Sequence, residues 1–172
     1  MAISTRWFFV LGLFVLPAQA RSQALWHGTS YGMSVQQVRQ AVSGATNVTD
    51  IAEKSSAGPA ALLQLDRTRI EGAVYTAKFY FARRRLVQVT LSLVSDRDPA
   101  AVQRDFDAVS NRLRGQYGDE TRHETQTCKD AMERIEWRAD GTRIEVHEAA
   151  AADQPREVLD IRYQAEAGSP LT

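Results

Sequence analysis

Tyr75, Ala77, Phe79 and Phe81, then Val87, Val89, Leu91 and Leu93, place an apolar side chain at every second position on either side of Ala82-Arg83-Arg84-Arg85. Successive side chains of a strand point to opposite faces, so this spacing predicts two half-buried antiparallel strands joined by a tight turn. A sheet with one apolar face must bury that face against another layer. Leu63 and Leu65 extend the alternation upstream, after a break at Gly58-Pro59, and a weaker strand is predicted from Thr46 to Glu53.

The covering layer is also legible. Ser34 followed by Gln37 forms a capping box, in which hydroxyl and amide satisfy backbone donors at a helix start. Val35, Val38 and Val42 follow at helical spacing, and Gly44 supplies the stop, which predicts a helix from Val35 to about Ser43. Asp98 caps a second helix with Pro99 at its first position, where a missing amide proton costs nothing. Val102, Phe106, Val109, Leu113 and Tyr117 draw one apolar stripe down it, and Gly118 closes it. Period two then returns: a polar strand from Thr121 to Thr127, a strand from Met132 to Arg138 carrying Ile135 and Trp137, a turn at Asp140-Gly141, Ile144 and Val146, a loop ending at Pro155, and Leu159, Ile161 and Tyr163.

Read in order, the chain is helix, about four strands, helix, about four strands, a candidate internal repeat. The expected fold class is α+β: an antiparallel sheet with helices packed on one face, as a tandem of two helix-plus-four-strand units spanning 21–95 and 96–165 in one globular domain, with 166–172 as a flexible tail. The other face of the sheet is then open.

The first twenty residues read as an address. Arg6, the apolar run Trp7 to Leu16 and the small-x-small ending Ala18-Gln19-Ala20 make a secretory signal peptide. Cleavage is expected after Ala20, with Ala24 as the lesser alternative. A membrane span needs roughly 20 apolar residues, about twice this run. The expectation is a periplasmic or secreted protein with no stable membrane anchor. Twenty-one Lys plus Arg balance twenty-one Asp plus Glu over 172 residues, and removing the leader takes away Arg6 alone, leaving −1. Such a balance carries no polyanion-binding signature and excludes nucleic acid as an expected partner. Eighteen of the basic residues are Arg, which a GC-rich genome accounts for simply. Cys128, the single cysteine, cannot form an internal disulfide. It can link two copies as a disulfide-bonded homodimer, act as a reactive thiol, or sit buried as a small hydrophobe, the favoured reading.

Tyr31-Gly32-Met33-Ser34, with Val38 and Gly44, resembles the start of small bacterial envelope domains of the SmpA/OmlA (BamE-like) type, and Leu113-x-x-x-Tyr117-Gly118 has the same character. The doubled pattern resembles the beta-lactamase inhibitor protein, a tandem of such units. The resemblance implies helices on one face of an antiparallel sheet and a role in binding another protein, in envelope assembly or as an inhibitor. Two departures stand out: no cysteine follows the leader for lipid attachment, and Cys128 alone cannot reproduce the inhibitor's disulfides.

Chemical motifs are sparse. His27, His123 and His147 lack metal-ligand spacing, so no metal or cofactor is expected. Cys128 and His123 lie five apart in a strand and so point to opposite faces, as do Glu133 and Glu136, which argues against a nucleophilic pair or paired carboxylates. No phosphate loop or nucleophile elbow is present, and an enzyme is not expected. Asn47-Val48-Thr49 is a glycosylation sequon in a eukaryotic source only. Trp26 and Tyr31 are expected in the core, whereas Tyr80 falls on the face opposite Phe79 and Phe81, where an aromatic can anchor a partner. Arg83, Arg84 and Arg85 form the one charge cluster, suited to an acidic protein patch or phosphate-bearing envelope lipid, against the simpler reading of a solvated turn. The candidate partner-binding residues are therefore Tyr80, Arg83, Arg84 and Arg85. The leading expectation is a non-enzymatic protein-binding module. The alternatives are a carrier or sensor of a small amphiphile held between helices and sheet, and a hydrolase without a recognisable motif.

Overall fold

The computed structural model describes residues 23–49, 58–94, 98–126, 130–151 and 157–166. The leader, Cys128, Pro155, the later part of the Thr46 to Glu53 strand and the tail beyond 166 lie outside the described residues. The elements are α1 (Val35–Ala41), β1 (Thr46–Asn47), β2 (Ala60–Ile70), β3 (Ala73–Ala82), β4 (Arg85–Leu93), α2 (Pro99–Tyr117), β5 (Arg122–Gln126), β6 (Asp130–Ala139), β7 (Thr142–Ala151) and β8 (Glu157–Ala165). The architecture is mixed α+β.

Both helices start as their sequences dictate. The Gln37 amide N–H donates to Ser34 Oγ at 3.3 Å, and the Ser34 N–H donates to Gln37 Oε1 at 2.8 Å, completing the capping box. Asp98 Oδ1 accepts from the Ala101 N–H at 3.0 Å, and Pro99 follows the cap. At the other end Gly118 adopts φ 82°, and its carbonyl accepts from the Trp137 indole N–H at 3.1 Å, tying the end of α2 to β6.

The strands form a single eight-stranded sheet in the order β1-β2-β3-β4-β8-β7-β6-β5, every neighbouring pair antiparallel. Each of β2 to β4 and β5 to β8 is a meander of sequential neighbours; β4 and β8 meet along Gln88↔Gln164 to Ser92↔Asp160. Val38 and Val42 of the first helical segment, Val102, Phe106, Val109 and Leu113 of α2, and Phe79, Leu91, Ile135, Trp137, Ile144 and Ile161 of the strands belong to one buried cluster. Burying side chains of this size is worth about 1.5–3 kcal/mol each, and here the gain falls on one face of the sheet. Leu25, ahead of α1, is buried in the same cluster, and its segment is held by the Thr142 hydroxyl, which donates to the Ala24 carbonyl at 2.9 Å.

The register slips in three places among the described residues, the first between Ala61 and Leu63 of β2. At the start of β4 Leu86 is fully buried and Val87 only half-buried, the reverse of the expected phase. The register passes from Tyr80↔Gln88 to Phe81↔Leu86, so Val87 is the extra residue of a bulge. Another irregularity falls between Leu65 and Thr68, where Arg67 has φ 57°. Tyr31 is half-buried and outside the core cluster, contrary to expectation, because the backbone beside it is occupied in pairing with β4; Trp26 does pack against the core.

Candidate functional site

Three hairpins turn through two residues, both at positive φ: Glu71-Gly72 at 48° and 85°, Arg83-Arg84 at 49° and 65°, and Asp140-Gly141 at 48° and 77°. Such turns match the twist of the strands but demand left-handed backbone, which glycine supplies at little cost. Arg84 stands where the other two turns have glycine.

The three arginines separate by role. Arg85 is structural: its Nη1 donates to the Gly32 carbonyl at 3.1 Å, and next to it Gly32 N–H and Leu86 N–H bond to Leu86 O and Met33 O at 2.9 and 2.8 Å. This clasp holds the approach to α1 against the start of β4. Arg83 and Arg84 are exposed at the tip and make no ion pair or hydrogen bond among the described residues. Arg84 shares a shallow depression with Ser34, Val35, Gln36 and Arg39 at the start of α1. Arg39 is held by Asn47, whose Oδ1 accepts from Nη2 at 2.5 Å. The hairpin end of the molecule is thus cationic, with guanidinium groups from β3–β4 and α1 side by side.

Tyr80 lies on the face of the sheet away from the buried cluster, half-buried beside Gln88 of β4. Among the described residues that face carries no helix, and it is paved with polar side chains. Across β8, β7 and β6 its rows run Gln164-Arg143-Arg138, Arg162-Glu145-Glu136 and Asp160-His147-Arg134. Glu145, 5% exposed, sits between Arg134 and Arg162 at 3.5 and 3.6 Å. Glu136, 7% exposed, meets Arg138 at 2.9 Å. The Nε atoms of Arg134 and Arg162 and Oδ1 of Asp160 are shielded from solvent without hydrogen-bond partners. Burial, followed by the Arg134 charge, pushes the His147 imidazole below its usual range. The open face is therefore a lattice of interleaved charges, four arginines against three carboxylates in these rows, and it is incompletely hydrogen-bonded.

The histidines sit on separate elements: His27 stacks on Trp26 at 4.9 Å, His123 Nε2 meets Glu133 Oε1 at 2.8 Å at the β5 edge, and His147 lies in the charge lattice. Glu133 and Glu136 occupy opposite faces of β6. Among the described residues no three His, Cys, Asp or Glu side chains converge as metal ligands, and no helix is long and apolar enough to cross a membrane. No family model, curated protein or solved structure matches the chain.

The charge lattice escaped the sequence reading, although its signal was present. Arg134, Glu136, Arg138 and Arg143, Glu145, His147 alternate out of phase with the apolar residues, but only strand order reveals which charges face each other.

Proposed function

We propose that the protein is an exported, non-enzymatic binding module that holds a protein partner against the arginine hairpin and the adjoining open sheet face. The observation that carries this reading is Arg83-Arg84 at φ 49° and 65°. Strained backbone persists where the side chains it displays have a use, and what it displays here is two uncompensated guanidinium groups beside Arg39. Tyr80, on the open face of the same hairpin, adds an aromatic anchor of the kind that dominates protein interfaces. The favoured partner surface is acidic.

The strand order supports the finer reading of two helix-plus-four-strand units, because two meanders, each preceded by a helix, meet through their last strands. Processing after Ala20 fits the anchoring of the segment that follows. Tyr31 N–H bonds to Gln23 O at 2.9 Å, Thr142 bonds to Ala24 O, and Leu25 is in the core. Cleavage after Ala24 would remove the first two contacts.

The test replaces the turn with residues its backbone prefers. Immobilised protein should capture one envelope protein in near-equimolar amount, and Arg83→Asn/Arg84→Gly should lower its affinity about tenfold or more, a change of about 1.4 kcal/mol, with the fold intact by circular dichroism. Tyr80→Ala should weaken it as well. Equal capture by the turn variant would sink the proposal, and binding of anionic phospholipid vesicles in place of any protein would reassign the arginines to lipid.

A further inference from the structure

The sheet ends differently at its two edges. On one side β1 is two residues long, and β2 behind it carries two register shifts and Arg67 at φ 57°. Short strands and bulges of this kind keep a sheet edge from pairing with another chain. β5, at the other end of the strand order, has neither: Arg122 to Gln126 pair one for one with Glu136 to Met132, without a shift. Among the described residues no strand lies beyond it. Alternate residues of an antiparallel edge strand turn their N–H and C=O groups outward, so β5 offers a regular ladder to one more strand.

Charge blunts such an edge against most chains, and here it selects one. Arg122 and Glu124 lie on the open face, where Arg122 stands beside Glu136 and Glu124 beside Arg134; Arg122 also meets Glu124 within the strand. A second β5, laid antiparallel about a two-fold axis through His123 and perpendicular to the sheet, sets each Arg122 opposite Glu124 of the other copy. The row across the junction then runs Glu136-Arg122-Glu124-Arg134, and its two-fold mate runs the same way from the other copy, so no like charges are adjacent in either. Moving the axis one residue along sets Glu124 against Glu124 or Arg122 against Arg122, and like charges directly opposite are destabilising. The charges thus specify the register. On the helix-bearing side the axis brings the two His123 rings together, each held by Glu133 of its own chain at 2.8 Å. α2 packs chiefly on β6, β7 and β8, which leaves β5 at the rim.

We infer that β5 pairs with β5 of a second copy, antiparallel about His123, in a symmetric dimer whose sheet is continuous and whose open faces lie on the same side. The contact is isologous, the same patch serving both copies, and it is separate from the arginine hairpin. A pairing five residues long falls below the roughly 1,200 Å² of stable complexes, so the dimer is reversible.

Sedimentation equilibrium of the purified mature protein tests this, in reducing buffer so that no Cys128 disulfide contributes. The expected result is a monomer–dimer equilibrium between about 10 and 1,000 μM protein, weakened severalfold as salt is raised from about 50 to 500 mM. Arg122→Glu and Glu124→Arg, each folded by circular dichroism, should each weaken self-association about tenfold or more. An equimolar mixture of the two variants should associate again, because opposite charges then meet at both positions. Arg83→Asn/Arg84→Gly should dimerise as the parent does, so loss of the protein-binding reading leaves this one standing and the reverse. A monomer up to about 1 mM, self-association unchanged by either charge reversal, or a mixture of the folded variants that stays monomeric would each overturn the assignment.

Discussion

Arg83 and Arg84 hold φ of 49° and 65°, where the Cβ of an L-residue crowds its neighbouring carbonyl at a cost of roughly 1–2 kcal/mol per residue. Asparagine tolerates this region better than arginine, and glycine has no Cβ to crowd. Glycine also raises the entropy of the unfolded chain, which takes back part of the gain. Arg83→Asn/Arg84→Gly is therefore expected to stabilise the protein by about 1 kcal/mol net, raising Tm by about 2–4 °C for a chain of this size. Differential scanning calorimetry checks it. A fall in Tm would mean that the arginines contribute native contacts exceeding the strain, and that the turn is structural. Residue-level burial elsewhere follows ordinary rules: Tyr163, 8% exposed, has its hydroxyl pushed upward by burial, so it stays neutral and serves as a packed ring.

Among the elements, α2 was the most legible, because its cap, its proline and its stripe are all local in sequence. Pro99–Tyr117 has its predicted length, and Val102, Phe106, Val109 and Leu113 are buried as the spacing requires. The β4 bulge was not legible. It exists because Gly32 and Met33, more than fifty residues away, pair with Leu86 and draw it inward in place of Val87. One contact near the α2 terminus has a titratable consequence. Arg114 Nε and Nη2 donate to the two carboxylate oxygens of Glu120 at 2.9 and 3.2 Å, fastening the helix end to the loop before β5. Hydrogen bonding from Arg114 holds the Glu120 carboxyl down at about 2, against an ordinary value of 4.5. A folded-state value below the unfolded one means that the stabilisation is complete above about 4.5 and is lost as pH falls toward 2. Glu120→Gln should therefore differ from the parent protein in Tm at pH 6 and converge with it near pH 2. A gap in Tm that stays constant from pH 6 to pH 2 would refute the ionic origin.

The whole molecule turns on the β4–β8 seam, the only strand pairing among the described residues that joins the two meanders. Leu91 and Ile161 face each other there, both fully buried, and Val89 faces Tyr163 one step along. The core cluster runs uninterrupted across this seam, from Phe79 on one side to Trp137 on the other, with α2 packed against β6, β7 and β8. A pattern that reads in sequence as two similar halves therefore shares one buried layer. If the halves unfold as one unit, a cavity at the seam must lower the protection of both. Leu91→Ala should cost about 2–5 kcal/mol, and native-state hydrogen exchange should record the same loss for the slowest amides of β3 and of β7, although only β4 carries the change. Protection of β7 left intact while β3 loses its own would mean that the two meanders fold independently and merely abut.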